Sequence, residues 1–519
     1  MQARLWARQT LDSPGVSDDI TLGLNAHVHK RLHNVNTDPN LTYVDLFAGC
    51  GGLSLGLEKA GFRGILAVEK SPMAAETYYH NFIQRLPVGD AGARHWKAYC
   101  EQPLRSQFEA GLIVDEVAAL LREPALLEEL RRRDVDLVAG GPPCQGFSMA
   151  GRRDPHDARN QLPWQFLDVV EAIEPKAVLI ENVVGIGQDF VKNGAKAPFR
   201  ELAEALASTG PRYVVQPMRL NAMHFGVPQH RPRMFLVGLR TDVARAAGLS
   251  GSLPFYVSGQ LPPSPLCPVP SVNRPLTVRH ALWDLVDVDG ELQYAADCGD
   301  LLYMCSPGRY AWTMRCSPEW LPPALPEAAP PCRPLNATQR RHSPPIELRF
   351  RLYQYFDTVG IRSNVLNVAA DPGLVGESRV EAVRHFLMNA PVPAIAPDGT
   401  VLAETKQELV ALVVAAATKK HSQRPMRWDD PSPTVMSLPD DFVHPRYPRT
   451  FTVRELARLQ SFPDNFEFRS KETTGSERRK FEVPQYTQVG NAVPPLLAAS
   501  IGKVLAGIVS SNAGVVPHL

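Results

Sequence analysis

Between residue 43 and about residue 245, short apolar runs alternate with longer stretches that have one apolar face. The apolar runs are YVDLFAG, GILAVEK, DVDLVAGG, KAVLIENV, YVVQPMRL and RMFLVGL. Several intervening stretches, such as QLPWQFLDVVEAIEP, repeat their apolar residues at the helical spacing. Strands that alternate with helices predict an α/β fold with a doubly wound, mostly parallel sheet.

Changes in this pattern divide the chain into regions. Residues 249–450 hold most of the prolines and show little alternation, which predicts a smaller, loop-rich inserted domain, here called the insert. Residues 451–483 open with a capping-box pattern formed by Thr452 and Glu455. The last region contains the apolar stretch PPLLAASIGKVLAGIV, which we expect to be a helix that returns to the sheet. The regions are an N-terminal arm (1–40), the α/β domain (41–248), the insert (249–450), a closing helix and loop (451–483) and a C-terminal helical region (484–519).

Charge and apolar content limit the classes of partner. The 519 residues contain 55 Lys and Arg against 54 Asp and Glu, so a surface for a polyanion has to be a local patch. The basic clusters QRRH at 339–342 and RFR at 349–351 suit phosphates, and they equally suit a solvated surface.

The longest apolar run, at 409–418, is about half of the roughly 20 residues that a membrane span needs. We therefore expect a cytoplasmic protein without membrane contact. The 8 cysteines include no C-x-x-C pair, so no metal site is predicted.

A glycine-rich loop, DLFAGCGGLSLG, follows the first predicted strand. Gly49, Gly51 and Gly52 allow a ligand to approach the backbone closely where a helix begins. Glu69 ends the second predicted strand, where a carboxylate can accept hydrogen bonds from ribose hydroxyls. The G-x-G-G spacing differs from the G-x-G-x-x-G of dinucleotide sites and argues against a nicotinamide oxidoreductase. The loop fits a nucleoside cofactor without a pyrophosphate, above all S-adenosylmethionine, and it also fits a plain tight turn.

A second loop, GGPPCQGFS, presents Cys144 just after the predicted strand DLVAGG. Doubly wound sheets bind ligands at this end of their strands, which favours a reactive thiol over the alternative of a small buried hydrophobe. Glu181 ends the next predicted strand, where a carboxyl group can act as an acid beside the thiol. Arg231 and Arg233 in PQHRPR lie two positions apart, hence on one face of an extended chain. Two guanidinium groups there suit carbonyl or phosphate oxygens, whereas either one alone also suits a solvated strand edge.

Together these segments resemble the bacterial DNA (cytosine-5)-methyltransferases, in the order that this family shows. The matching segments are DLFAGCGGLSLGLEKAGF, VEK, GGPPCQGFS, ENV, QHRPR, RELARLQSFPDNF and QVGNAVPPLLAASIG. The resemblance implies the S-adenosylmethionine-dependent methyltransferase fold. Residues 41–248 would form the catalytic and cofactor-binding domain, and the insert would be the target-recognition region. The implied reaction moves a methyl group from S-adenosylmethionine to C5 of cytosine in a specific double-stranded DNA sequence, as in restriction-modification systems.

The resemblance also implies which residues hold S-adenosylmethionine. Glu69 would bind the ribose, and Asn491 would support the methionine end. Asp115 in LIVDEV would contact the adenine, with Asp90 in PVGD as the alternative. The other implied cofactor residues are Phe47, Gly49, Gly51, Gly52, Pro142 and Val493.

For the reaction, the resemblance implies that the target base is flipped out of the duplex. Cys144 would attack C6 of cytosine while Glu181 engages N3 and Arg233 the O2 carbonyl, and Arg231 completes the catalytic set. We expect a monomer that binds double-stranded DNA in the bacterial cytoplasm and nucleoid, and a cognate restriction endonuclease stays an open question. The rivals are an RNA cytosine-5 methyltransferase of the same fold and a non-catalytic nucleic-acid-binding relative. The long insert and the intact PPCQGFS favour DNA, and the retained cysteine, glutamate and arginines favour catalysis.

Overall fold

A computed structural model describes residues 41–143, 161–187, 198–295, 308–325, 331–421, 423–438, 440–475, 478 and 481–511. The predicted N-terminal arm and Cys144 lie outside these residues. The strands are β1 Thr42–Leu46, β2 Arg63–Val68, β3 Leu112–Ile113, β4 Leu137–Gly140, β5 Ala177–Val183, β6 Tyr213–Asn221, β7 Pro232–Arg240, β8 Tyr256–Val257, β9 Leu285–Val288, β10 Glu291–Tyr294, β11 Ala394–Ile395, β12 Val401–Ala403, β13 Arg424–Pro425 and β14 Phe442–Val443. The α-helices are α1 Gly52–Lys59, α2 Pro72–Tyr78, α3 Asp90–Cys100, α4 Leu104–Ala110, α5 Val117–Leu121, α6 Pro124–Arg132, α7 Leu162–Ile173, α8 Pro198–Ser208, α9 Thr241–Ala246, α10 Val278–Leu282, α11 Gly308–Cys316, α12 Pro344–Thr358, α13 Val365–Val368, α14 Gly376–Phe386, α15 Lys406–Ala415, α16 Val453–Leu459, α17 Gln485–Asn491 and α18 Pro495–Ser511.

The central sheet has eight strands in the order β3-β2-β1-β4-β5-β7-β6-β8. β1 runs parallel to β2 and β4, β2 to β3, and β4 to β5, whereas β7 is antiparallel to both of its neighbours. The predicted doubly wound, mostly parallel sheet is confirmed. The apolar pattern did not predict β3 and β8, because two residues are too few to show a period.

Helices cover both faces of this sheet. Ala139 and Leu179 pack on one face, in a core that includes apolar side chains of α1 and α18. Val138 and Val178 point to the opposite face, in a second core with α6, α7 and α8. Successive side chains of a strand alternate between faces, so central strands buried on both sides have to be apolar throughout.

α18 returns to the sheet and packs closely along α1. A β-carbon at Gly56 would lie 2.4 Å from Cβ of Ala498, and one at Gly502 would lie 2.7 Å from Cβ of Ala60. The close approach therefore depends on a glycine in each helix. No single helix within the described ranges is long and apolar enough to cross a membrane, although α17 and α18 pass that test together as a pair bent by 42°.

The insert contains more helix than its proline content predicts. Its second half folds around an apolar core of its own that includes side chains of α12 to α15. Pro344 stands in the first turn of α12, where a missing N–H costs no helical hydrogen bond. The predicted capping box is present at the start of α16: the Glu455 N–H donates to Thr452 Oγ1 at 3.2 Å, and the Thr452 N–H donates to Glu455 Oε2 at 2.7 Å.

Candidate active site

The carboxyl ends of β1 to β5 meet at one edge of the sheet, because these strands run in the same direction. Ligand sites of open α/β sheets lie outside this edge. The predicted residues that the structure places here are Phe47, Gly49, Gly51 and Gly52 after β1, Glu69 after β2, Asp115 after β3, Pro142 after β4 and Glu181 near the end of β5.

The glycine-rich loop has a left-handed backbone at Phe47, Gly49 and Gly51, with φ of 60°, 57° and 93°. A β-carbon at Gly49 would meet no heavy atom of the described residues within 4 Å. A β-carbon at Gly51 would lie 2.3 Å from Cε2 of Phe82. Gly49 therefore borders open space that a ligand can occupy, whereas Gly51 is needed for packing against the helix that follows β2.

The loop between α17 and α18 lies against the glycine-rich loop. A β-carbon at Gly52 would lie 2.4 Å from the carbonyl oxygen of Val493. The Cys50 thiol donates to the carbonyl oxygen of Gln488 at 3.6 Å. Asn491, the last residue of α17, is exposed. The fold thus brings the two cofactor residues predicted near the C-terminus to the glycine-rich loop.

Glu69 is fixed beside Gly49 by two backbone hydrogen bonds. Its Oε2 accepts from the Gly49 N–H at 2.9 Å, and its Oε1 accepts from the Ser71 N–H at 2.7 Å. Burial raises the pKa of Glu69, and the two N–H groups lower it in part. A carboxylate held in this way has a set position relative to the open space at Gly49.

Asp115 lies at the same edge of the sheet as Glu69. The Glu69 N–H donates to the Ile113 carbonyl at 3.0 Å across the β2–β3 pair, and Asp115 follows two residues later. Asp115 is exposed and accepts from the Glu116 N–H at 2.7 Å. Asp90 is also exposed and begins α3. The choice between the two as the acid that contacts adenine stays a prediction, and the strand pairing favours Asp115.

Glu181 and Arg233 form a largely buried ion pair. β5 and β7 run antiparallel with Val183 opposite Arg233, and this register brings the two side chains together. Arg233 Nε lies 3.1 Å from Glu181 Oε1, and each side chain is 13% exposed. Burial raises the pKa of Glu181 more than Arg233 and Arg231 lower it. The carboxyl group therefore keeps its proton to a higher pH than an exposed glutamate does.

The chain that leads to Cys144 begins next to this ion pair. A β-carbon at Gly141 would lie 3.1 Å from Glu181 Oε2. Asn182 Nδ2 donates to the Pro142 carbonyl at 3.0 Å. Cys144 itself lies outside the described residues, so its role as the nucleophile stays a prediction.

Arg231 makes different contacts from Arg233. Its side chain is 1% exposed. Its guanidinium group donates to the carbonyl oxygens of Val435 at 3.3 Å, Gly490 at 2.8 Å and Ala492 at 2.9 Å. Two of these carbonyl groups belong to the residues on either side of Asn491, so Arg231 holds the C-terminal end of α17, where this residue lies.

The two arginines therefore make different contacts, although both lie close enough to Glu181 to lower its pKa. β7 begins at Pro232, so Arg231 immediately precedes the strand. Arg233 pairs with Glu181, and Arg231 binds backbone carbonyls of the C-terminal loop and the insert.

Sequence reasoning missed a buried glutamine pair that joins the segment before β7 to the closing region after the insert. Gln229 is fully buried, and its Nε2 donates to the Leu459 carbonyl at 3.1 Å and to Gln460 Oε1 at 3.0 Å. Its Oε1 accepts from the Val435 N–H at 3.0 Å, and Gln229 also forms a parallel β-bridge with Ser432. We call these contacts the seam. The available signal was an uncharged polar residue inside each of the motifs PQHRPR and RELARLQSF.

The chain matches known proteins over most of its length. The sequence model of the family "C-5 cytosine-specific DNA methylase" matches residues 41–287 and 389–507. The Type II methyltransferase M.AgeI of Thalassovita gelatinovora is 30% identical over 472 residues, which cover 89% of this chain and 98% of that protein. The Type II methyltransferase M.DdeI of Desulfomicrobium norvegicum is 29% identical over 467 residues, which cover 89% and 88%.

Among solved structures, a DNA modification methyltransferase encoded within a prophage (E. coli) has a TM-score of 0.53 at 21% identity, over 91% of this chain and 100% of that one. This likeness supports the fold. The family predicted from the ordered motifs is thereby confirmed by the family model and by the relatives. The chain belongs to the C-5 cytosine-specific DNA methylase family and is a DNA (cytosine-5)-methyltransferase.

Proposed function

We propose that the enzyme methylates C5 of a cytosine flipped out of a specific double-stranded DNA sequence, with S-adenosylmethionine as the methyl donor and Cys144 as a covalent nucleophile. The observation that carries this proposal is the buried Glu181–Arg233 pair beside the chain segment that leads to Cys144. A carboxyl group whose pKa is raised by burial, a guanidinium group and a thiol are together able to activate a pyrimidine ring.

The glycine-rich loop fits S-adenosylmethionine. Gly49 borders open space, the Glu69 carboxylate is fixed beside it, and Asp115 is exposed at the same edge. We infer that Glu69 binds the ribose hydroxyls, that Asp115 contacts the adenine and that Asn491 supports the methionine end. When bound, S-adenosylmethionine supplies an electrophilic methyl group. The remaining proposed contacts are Phe47, Gly49, Gly51, Gly52, Pro142 and Val493.

The catalytic residues would act on the ring in sequence. The Cys144 thiolate forms a bond to C6, Glu181 gives its proton to N3, and Arg233 donates a hydrogen bond to the O2 carbonyl. The electron pair that this addition makes available at C5 would take the methyl group as its bond to the sulfonium sulfur breaks, with the electrons of that bond kept by the sulfur, and the N3 proton would return to Glu181. C5 would then lose its own proton to water, and the C5–C6 double bond would form again as the Cys144 thiolate leaves.

We infer that Arg231 is a positioning residue rather than a catalytic one, because its guanidinium group is committed to three backbone carbonyl groups. Arg231→Lys keeps the charge but loses the fork geometry. Losing hydrogen bonds to buried carbonyl groups costs about 1–3 kcal/mol, so we expect the KM for S-adenosylmethionine to rise about 5- to 150-fold, with a smaller change in kcat. Steady-state kinetics with Arg245→Lys, an exposed site on α9, as the control would check this. A lower kcat with an unchanged KM would instead indicate that Arg231 contacts the target cytosine during the reaction.

The family makes DNA the substrate, and the finer features are proposals. We propose that residues 41–248 form the catalytic domain, that the insert is the target-recognition region and that residues 451–483 and 484–519 close the structure. We also propose a monomer acting on duplex DNA in the bacterial cytoplasm. The family membership does not depend on a cognate restriction endonuclease, whose existence stays an open question.

Incubation of the purified protein with methyl-labelled S-adenosylmethionine and either genomic DNA or total RNA tests the proposal. We expect label only in DNA, and base-resolution sequencing should find it at C5 of cytosine within one short sequence. Label in RNA alone would favour the RNA rival. DNA binding without transfer would favour a non-catalytic role.

A further inference from the structure

The insert contains a groove of about 590 Å³ between the end of α12, the loop after it and segment 424–433. The residues of the first wall, 353–364, fall within 288–388, which the family model leaves unmatched. Segment 424–433 belongs to the matched part. The groove therefore combines a wall specific to this chain with a wall shared with the family.

Polar groups without partners line this groove. Arg362 and Arg424 are exposed, and neither forms an ion pair with any described residue, although the Arg424 guanidinium carbon lies 5.6 Å from the centre of the Phe442 ring. Tyr353 is 1% exposed, and its buried hydroxyl group has no hydrogen-bond partner among the described residues. A buried hydroxyl without a partner costs free energy unless a ligand satisfies it.

Acceptors also line the groove. Asp357 accepts from Arg427 Nε at 2.9 Å, and Asp430 lies 4.0 Å from Arg427 NH1. A track for phosphates alone would be lined by cations, because carboxylates repel phosphates. The edge of a base pair in the major groove presents both acceptors and donors. The mixture of arginines, aspartates and a tyrosine hydroxyl therefore suits base edges better than backbone phosphates.

Two contacts connect the groove to the segment that precedes the Glu181–Arg233 pair. At the seam, Ser432 pairs with Gln229, and the Thr434 hydroxyl donates to the His230 carbonyl at 2.9 Å. Ser432 stands between the groove residues Pro431 and Pro433, and its partner Gln229 lies four positions before Arg233 in the chain. The groove is therefore joined to the segment that leads into the Glu181–Arg233 pair, so we expect base pairs near the target cytosine to lie within its reach.

We propose that this groove reads a G·C base pair near the target cytosine, with Arg362 and Arg424 donating to O6 and N7 of the guanine and Asp430 accepting from N4 of its cytosine partner. The assignment rests on the proposed function. It names residues that determine specificity, in a region where the family model covers only one wall. Tyr353 also lines the groove, and we expect its hydroxyl group, which is buried without DNA, to become accessible to the same base pair when the duplex binds.

The test is methylation of a duplex library with randomised positions around the target, read at base resolution, for the full-length protein and for Arg362→Ala, Arg424→Ala and Tyr353→Phe. We expect the arginine variants to lose about 5- to 150-fold of the preference for G·C at one position, with transfer to the other sequences retained. Tyr353→Phe should weaken the same preference without lowering the thermal unfolding midpoint, since it removes an unsatisfied buried group. Arg384→Ala is the matched control, because Arg384 is exposed in the insert and pairs with Glu381 away from the groove.

Other outcomes would overturn the proposal. Equal slowing of all sequences with a weaker salt dependence would make the arginines phosphate contacts. If Arg362→Ala, Arg424→Ala and Tyr353→Phe all keep the same sequence preferences as the control Arg384→Ala, the groove does not contact DNA. Failure of the proposed function is distinguishable, since the unsubstituted protein would then methylate no sequence in the library.

Discussion

Cys144→Ser is expected to abolish methyl transfer while DNA binding persists. A thiol is a few per cent ionised at neutral pH, whereas a serine hydroxyl group is ionised to a negligible extent, so the substitution removes the attacking species. We expect transfer to fall by about 10⁴-fold or more, the scale of loss seen when a covalent nucleophile is removed. The measurements are transfer of labelled methyl groups and a gel-shift titration with duplex DNA.

The control for this substitution is Cys332→Ser, since Cys332 is an exposed free thiol in the insert. A duplex with 5-fluorocytosine at the target gives a second readout, because fluorine cannot leave C5 as a proton does. We expect a covalent protein–DNA complex with the unsubstituted enzyme and with Cys332→Ser, and none with Cys144→Ser. Full activity in Cys144→Ser would remove this residue as the nucleophile.

Glu181→Gln is expected to lower kcat by about 10²- to 10⁴-fold, because a neutral amide cannot give a proton to N3 of the ring. The pH profile adds a sharper readout. Burial raises the pKa of Glu181 in the free enzyme, and only its protonated form can supply the proton, so kcat/KM of the unsubstituted enzyme should fall as the pH rises through this pKa. The variant should lose this alkaline limb of the profile.

Glu58→Gln is the matched control for Glu181→Gln. Burial also raises the pKa of Glu58, but its carboxylate accepts from the Gly64 N–H at 2.9 Å, near the start of β2 and hence at the opposite edge of the sheet. We expect this control to leave kcat and the pH dependence of kcat/KM unchanged. Near-normal turnover in Glu181→Gln would show that the carboxylate only positions Arg233, and thermal unfolding of both variants would separate misfolding from lost chemistry.

The sheet and its carboxyl edge were predictable because they depend on local patterns. Apolar runs separated by helical stretches predict β1, β2, β4, β5, β6 and β7, and parallel strands bring the loops after them together. The pattern of strands and helices therefore predicts that Glu69 and Glu181 lie at one edge of the sheet. The capping box at Thr452 was predictable for the same reason, since it depends on two residues three positions apart.

Long-range pairing was not predictable in this way. The position of β7 between β5 and β6, and the register that sets Arg233 against Glu181, depend on contacts between distant segments. The role of Arg231 depends on carbonyl groups about 260 positions further along the chain. Gly49 and Gly51 look alike in the sequence. Only the structure shows that Gly51 packs against Phe82, whereas a β-carbon at Gly49 would meet no heavy atom of the described residues within 4 Å.

The seam has a consequence for how such an enzyme can change over time. Gln229, Val435 and Gln460 join the end of the insert and the start of the closing region to the segment that precedes Arg233. These contacts involve residues before and after 288–388, the stretch that the family model leaves unmatched. That stretch can then diverge or be exchanged between related chains without moving the ion pair. Substitutions at the first wall of the groove, which includes Arg362, can then alter which DNA sequence is methylated while the residues of the reaction stay the same.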